Sequence, residues 1–173
     1  MERRGCLVAI FSLFRIGHGQ NARDNIDMKA PEVNYVKSAK LVKVVDGDTL
    51  RVVIDLGWDV QLKADVRLAG VNAPESRGYE REAGKFVTQQ VVGWLSERTL
   101  KDPKLVIYSK SYSSGKFGRT LAEVWADGES LNEYLLNSKL AWKIDDNGKQ
   151  IEPREIESLD LPDSVLETFA EKD

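Results

Sequence analysis

Two carboxylates, Asp46 and Asp48, flank a single glycine in the stretch KVVDGDTLRVVID (43–55). Charges of one sign this close repel, so two readings compete. Either the stretch is an ordinary turn, for which Asp and Gly are common residues, or a cation belongs beside it. Two further segments carry polar residues that a hydrophobic core does not require: RLAGVNAPES (67–76) and KFGR (116–119). Between them they add the carboxylate of Glu75, the guanidinium groups of Arg67 and Arg119, and the ammonium of Lys116. Each has a bland reading as well, since Arg67 falls on the outward parity of a strand and Glu75 follows a proline at a turn.

The rest of the composition narrows the chemistry. There is one cysteine, Cys6, and one histidine, His18, far upstream of these segments. A disulfide framework, a thiolate metal cage, a histidine-bound zinc and a histidine-based nucleophilic triad are thereby disfavoured. What remains is carboxylates, guanidinium groups and a hard metal ion. The net charge of −3 argues against a protein that coats nucleic acid with a broad basic surface. It leaves room for an enzyme whose few cations converge on one phosphate.

These residues need elements to hold them. With 173 residues, 42% hydrophobic and 31% charged, the chain can bury one substantial core. SAKLVKVV, then Leu50, Val52, Ile54 and Leu56, then Val60, Leu62, Ala64, Val66 and Leu68 alternate at period two and predict a three-stranded meander with DLGWD as its second turn. Ala83, Phe86, Val87, Gln90, Val91, Trp94 and Leu95 recur at helical spacing, and Pro103 closes that segment. KLVIYSK and GRTLAEVWA read as two more strands, and Ser130 with Glu133 opens the helix SLNEYLLNSKLA as a capping box. Five short strands in this order suit a small oligonucleotide-binding (OB-fold) barrel, mainly β in an α+β class, with two to three helices. In such a barrel the three polar segments, all at or next to strand ends, can meet on one patch.

DGDT, RLAGVNAPES and KFGR, in this order and spacing, resemble the motifs of the staphylococcal nuclease (thermonuclease) family. The resemblance runs from about residue 40 to 141, with GYEREAGKF similar to the start of the family's first helix and ADGESLNEYLL to its second. It implies a five-stranded OB-fold barrel and a calcium-dependent phosphodiesterase that cuts DNA and RNA with little sequence preference, leaving 3′-phosphate ends. By the same resemblance Asp48 is a calcium ligand, Asp46 its supporting carboxylate, and Ala73 a ligand through its carbonyl. Glu75 activates or orients the attacking water, Arg67 and Arg119 clamp the scissile phosphate, and Lys116 lies near a terminal phosphate. A guanidinium suits that task because it holds two phosphoryl oxygens while their charge grows.

The sequence departs from the family at three places. Asn72 stands where a second aspartate ligand is usual, which predicts weaker calcium binding or use of another divalent ion. Phe117 replaces a tyrosine at the substrate side. WKIDDNGKQ (142–150), with Asp145 and Asp146, lacks the tyrosines that stack a base, and Trp142 reads better as core than as a stacking surface. The alternative from another class is a catalytically silent module of this fold that binds nucleic acid or protein.

The organisation expected is a tail over 1–36, the nuclease-like domain over 37–143, and an acidic tail over 144–173 without contact to nucleic acid and with a possible short helix capped at Asp163 or Ser164. The apolar run from Cys6 to Phe14 after a basic start fits an export signal and a cytoplasmic tail about equally, and is too short to span a membrane. Nothing in the sequence demands a dimer, so a monomer is expected.

Overall fold

The computed structural model describes residues 35–109, 120–145 and 148–170. The chain runs through β1 (Val36–Asp46), β2 (Thr49–Gly57), β3 (Val60–Leu68) and a two-residue β4 (Val71–Asn72). After a 3-10 turn at Gly78–Glu80 come α1 (Arg81–Thr99), β5 (Lys104–Ser109), β6 (Thr120–Ala126) and β7 (Glu129–Ser130). Then follow α2 (Leu131–Asn137), β8 (Trp142–Lys143), a 3-10 turn at Ile156–Ser158, and α3 (Asp163–Ala170).

β1, β2 and β3 form the meander that period-two alternation predicts, and β1 pairs antiparallel with β5 and β5 with β6. A parallel pairing of β3 with β6, Val66 to Thr120 through Leu68 to Ala122, closes the sheet on itself. The result is a closed five-stranded OB-fold barrel with three helices. Leu50, Val52, Val66, Leu68, Leu105, Ile107 and Val124 fill its interior, and α1 seals it with Ala83, Val87, Val91 and Leu95. Closure matters for the site because it sets β3 between β2 and β6, so the end of β3 is held from both sides.

The capping box opens α2 as expected: Ser130 Oγ accepts from the Glu133 N–H at 3.3 Å. The helix is shorter than its sequence pattern, ending at Asn137 rather than running to Ala141. Lys139 adopts φ 50°, and the Leu140 N–H returns to the Leu135 carbonyl while Lys139 N–H returns to Leu136. That is a Schellman end, with a lysine in the left-handed position where glycine is usual.

The segment after β8 is packed, not peripheral. Ile156, Leu159, Leu161 and Phe169 are buried in the same core cluster as the barrel residues. Phe169 of α3 meets Tyr79 edge-on at 5.2 Å. Among the described residues, no helix is long and apolar enough to cross a membrane.

Candidate active site at the end of the third strand

The DGD turn joins β1 to β2, and its glycine is there for space. A Cβ at Gly47 would come within 2.8 Å of Ala73 Cβ and 2.9 Å of Val87 Cγ1. The loop after β4 and helix α1 therefore press directly on the turn. This contact carries Asp48 inward until only 3% of it is exposed.

Asp48 is fully engaged by protein donors. Its Oδ2 accepts from the Ala73 N–H at 2.9 Å, and its Oδ1 accepts from Thr49 Oγ1 at 3.0 Å and from Arg67 Nη1. The second nitrogen of Arg67, Nη2, donates to Asn72 Oδ1 at 2.9 Å. Asn72 Nδ2 in turn donates to Gln150 Oε1 at 3.2 Å. Burial pushes the Asp48 carboxyl above the ordinary aspartate range, and Arg67, the Ala73 N–H and the Thr49 hydroxyl oppose this without cancelling it.

Arg67 departs from its strand-parity reading. Its side chain is only 20% exposed and lies against Asp48, so it is not a freely solvated strand residue. The reason is the turn of the chain at Gly70, φ 73°, which folds β4 back so that Asn72 and Ala73 flank the end of β3.

Asp46 serves a different neighbour. Its Oδ1 accepts from Ser76 Oγ at 2.5 Å and from the Gly47 N–H at 3.0 Å, and Ser76 Oγ lies 3.3 Å from Thr88 Oγ1 on α1. The two carboxylates of the turn thus brace the two ends of one loop, Asp48 at Ala73 and Asp46 at Ser76. Between them sits Glu75, exposed, with no partner on its carboxylate among the described residues. Its backbone N–H donates to Glu80 Oε2 at 2.9 Å.

Asp46, Asp48, Arg67, Asn72, Ala73 and Glu75 are therefore brought together by one turn and one loop. Lys116, Phe117 and Arg119 lie outside the described residues, as does Asp146. Trp142 is 3% exposed and belongs to the core, with its Nε1 donating to the Glu155 carbonyl and Ser158 Oγ.

Several positioning residues have little signal in the sequence. Gly84 on α1 lets the helix approach the chain so closely that a Cβ would fall 2.4 Å from the Glu75 carbonyl. Asn132 of α2 is buried, accepts from the Val124 N–H and donates to the Ala69 carbonyl, holding the turn that follows Arg67. Ser76 stands inside the quoted motif and could have been found there. Gln150 and Arg154 could not, because each acts across a long sequence separation.

A hard cation matches these donors in type but would have to displace Arg67, which already occupies Asp48 Oδ1 and Asn72 Oδ1. Asp48, the Asn72 amide oxygen and the backbone carbonyls offer oxygen ligands only. Among the described residues no group of three His, Cys, Asp or Glu converges. Amide, carbonyl and water oxygens would have to complete such a shell.

The barrel, the DGD turn and the Arg67–Glu75 segment define a nuclease-like domain, and comparison with known proteins agrees. The family model described as staphylococcal nuclease homologue matches residues 65–160. The chain belongs to that family. It is 30% identical over 109 residues to a thermonuclease of Staphylococcus hyicus, covering 59% of this chain and 56% of the relative. It is 27% identical over 124 residues to protein ParB of Escherichia coli, covering 66% and 61%. A staphylococcal-like nuclease CAN1 of Arabidopsis thaliana is 26% identical over 111 residues, covering 63% and 31%. The alignments thus span less than two thirds of each relative's length.

Proposed function

We propose that this chain is a phosphodiesterase that hydrolyses DNA and RNA with low sequence preference, using calcium or another hard divalent ion and leaving 3′-phosphate ends. The observation that carries the reading is the joining of Arg67, Asp48 and Asn72 into one hydrogen-bonded cluster, on the loop that presents the exposed Glu75.

Each residue has a task that its surroundings suit. Arg67 offers a guanidinium to two phosphoryl oxygens and stabilises the charge that grows on them. Its bonds to Asp48 and Asn72 hold it in place before substrate arrives. Glu75, exposed and without a side-chain partner among the described residues, orients an attacking water or takes its proton. Asp48, Asn72 and the Ala73 carbonyl would hold the cation, with Asp46 bracing the loop from Ser76. A bound divalent ion would supply Lewis-acid stabilisation of phosphoryl charge. Arg119 is proposed as a second phosphate clamp, with Lys116 and Phe117 on the substrate side.

Purified protein incubated with DNA or RNA, with calcium or with chelator, and resolved on a gel tests this directly. Cleavage lost in chelator and restored by calcium is the expected result. Intact substrate across calcium, magnesium and manganese overturns it and promotes the silent binding module. One feature favours that second reading: Arg67 already spends a hydrogen bond on Asp48, so a phosphate must compete for it.

A further inference from the structure

The exposed Glu75 carboxylate has no side-chain partner to fix it among the described residues, so its direction depends on its backbone. That backbone is held from the far end of the chain. The Glu75 N–H donates to Glu80 Oε2 at 2.9 Å, and Arg154 Nη2 donates to the same oxygen at 2.5 Å. The Arg154 guanidinium also lies over the Trp142 ring, 5.0 Å from its centroid. Trp142 is buried, is pinned through Nε1 to Glu155 and Ser158, and sits in β8, where it pairs with Asn72.

These contacts close a circuit. The loop from Asn72 to Glu75 is tied at its first residue to β8 and at its last, through Glu80, to Arg154. We propose that Arg154 is a positioning residue for Glu75, acting through the Glu80 carboxylate. The proposal rests on the hydrolase reading above and assigns the segment after β8 a role in it.

Two simpler accounts of the pair fall short. An acidic residue at a helix start is favourable in itself. Yet Glu80, at the N-cap of α1, makes no side-chain cap to its own helix and reaches back to Glu75 instead. Exposed ion pairs contribute little to stability. Here the side chains of Glu80 and Arg154 are 18% and 34% exposed, and their shared oxygen is aimed at one backbone N–H in the site.

The test uses the full chain with Glu80→Ala, Arg154→Ala, Glu80→Gln, and the double variant Glu80→Lys with Arg154→Glu. Looser placement of Glu75 should lower kcat by about tenfold or more in Glu80→Ala, and by less in Arg154→Ala, with KM unchanged. Glu80→Gln keeps an acceptor for the Glu75 N–H and should retain most of kcat. The double variant restores an ion pair but offers that N–H no acceptor at position 80, so thermal stability should return while kcat stays low. Unchanged kcat in Glu80→Ala, or kcat restored in the double variant, overturns the proposal.

Amide hydrogen exchange at Glu75 reads the same contact without catalysis. Protection present in the wild type and lost in Glu80→Ala supports the positioning role, and protection retained overturns it. If the wild-type chain cleaves no substrate, the hydrolase reading falls by itself and the exchange measurement still decides the placement of Glu75.

Discussion

The two sides of the Asn72–Ser76 loop solve different problems. On one side Asp48 and Arg67 lie withdrawn from solvent, and their charges depend on each other. On the other side Glu75 faces solvent, and among the described residues its restraints fall on the backbone, from Glu80 and from the close passage of α1 at Gly84. A buried charge that loses its partner strains the whole fold, whereas an exposed one does not. The buried side should therefore link function to stability, and the exposed side should leave them separable.

Arg67→Ala should make the sharpest break. Strand parity alone suggests that this change leaves the fold intact, but the contact with Asp48 predicts otherwise. Removing one partner of a buried pair costs about 3–5 kcal/mol, so chemical denaturation should show a clear loss, together with loss of cleavage by orders of magnitude. Adding Asp48→Asn should recover much of the stability and none of the cleavage. A fully stable single variant would show that Asp48 and Arg67 are not coupled.

Glu75→Gln is the matching change on the exposed side. It should lower turnover by roughly 10²–10⁴-fold and move stability by less than about 0.5 kcal/mol. Equal losses of stability in Glu75→Gln and Arg67→Ala would erase the distinction between the two sides.

Two glycines of the same helix give a smaller effect of opposite sign. A Cβ at Gly84 meets backbone atoms of Glu75 and Ser76, whereas one at Gly93 meets nothing within 4 Å. Gly84→Ala should destabilise by about 1–3 kcal/mol and reduce turnover, because the Glu75 backbone must move. Gly93→Ala should stabilise by about 0.5–1 kcal/mol, the ordinary gain of alanine over glycine in a helix. Urea titrations of both variants would measure the contrast.

Asp48→Asn tests the buried charge by pH. Burial raises the folded-state pKa of Asp48, so the folded protein holds that proton to higher pH than the unfolded chain does. The ionised form then costs stability, a cost absent at acid pH that grows as pH rises from the ordinary aspartate range through the raised value. Stability should accordingly fall less with rising pH across that window in Asp48→Asn than in the wild type, on top of the cost of leaving Arg67 without its carboxylate at every pH. Denaturation midpoints across pH would check it, and a gain confined to acid would reverse the sign argued here.

Asn72→Asp should perturb the fold least. Its first oxygen can still accept from Arg67. Gln150 can turn its amide so that Nε2, a buried donor without a partner among the described residues, meets the second. Calcium dependence of cleavage should shift to lower concentration, as a carboxylate replaces an amide. An unchanged half-saturation point would place this side chain off the cation.

Much of the molecule was legible from residues in order. Alternation along β1, β2 and β3, helical spacing along α1, and the Ser130 capping box are local signals, and local sterics and solvation decide them. DGDT and RLAGVNAPES were readable as short runs, and the structure brings them side by side, while KFGR lies outside the described residues. The closing pair of β3 with β6, the inward lean of Arg67, the packing of Ile156 to Phe169, and the ties from Gln150 and Arg154 were not legible. Each joins residues far apart in the chain, and its energy exists only once the barrel has closed and water has left. Composition, with one cysteine and one histidine, disfavoured a thiolate cage, a histidine-bound zinc and a histidine triad. Only the tertiary structure decided that Asp48 answers to Arg67, that Asp46 answers to Ser76, and that Arg154 meets the Glu80 oxygen bound by the Glu75 N–H.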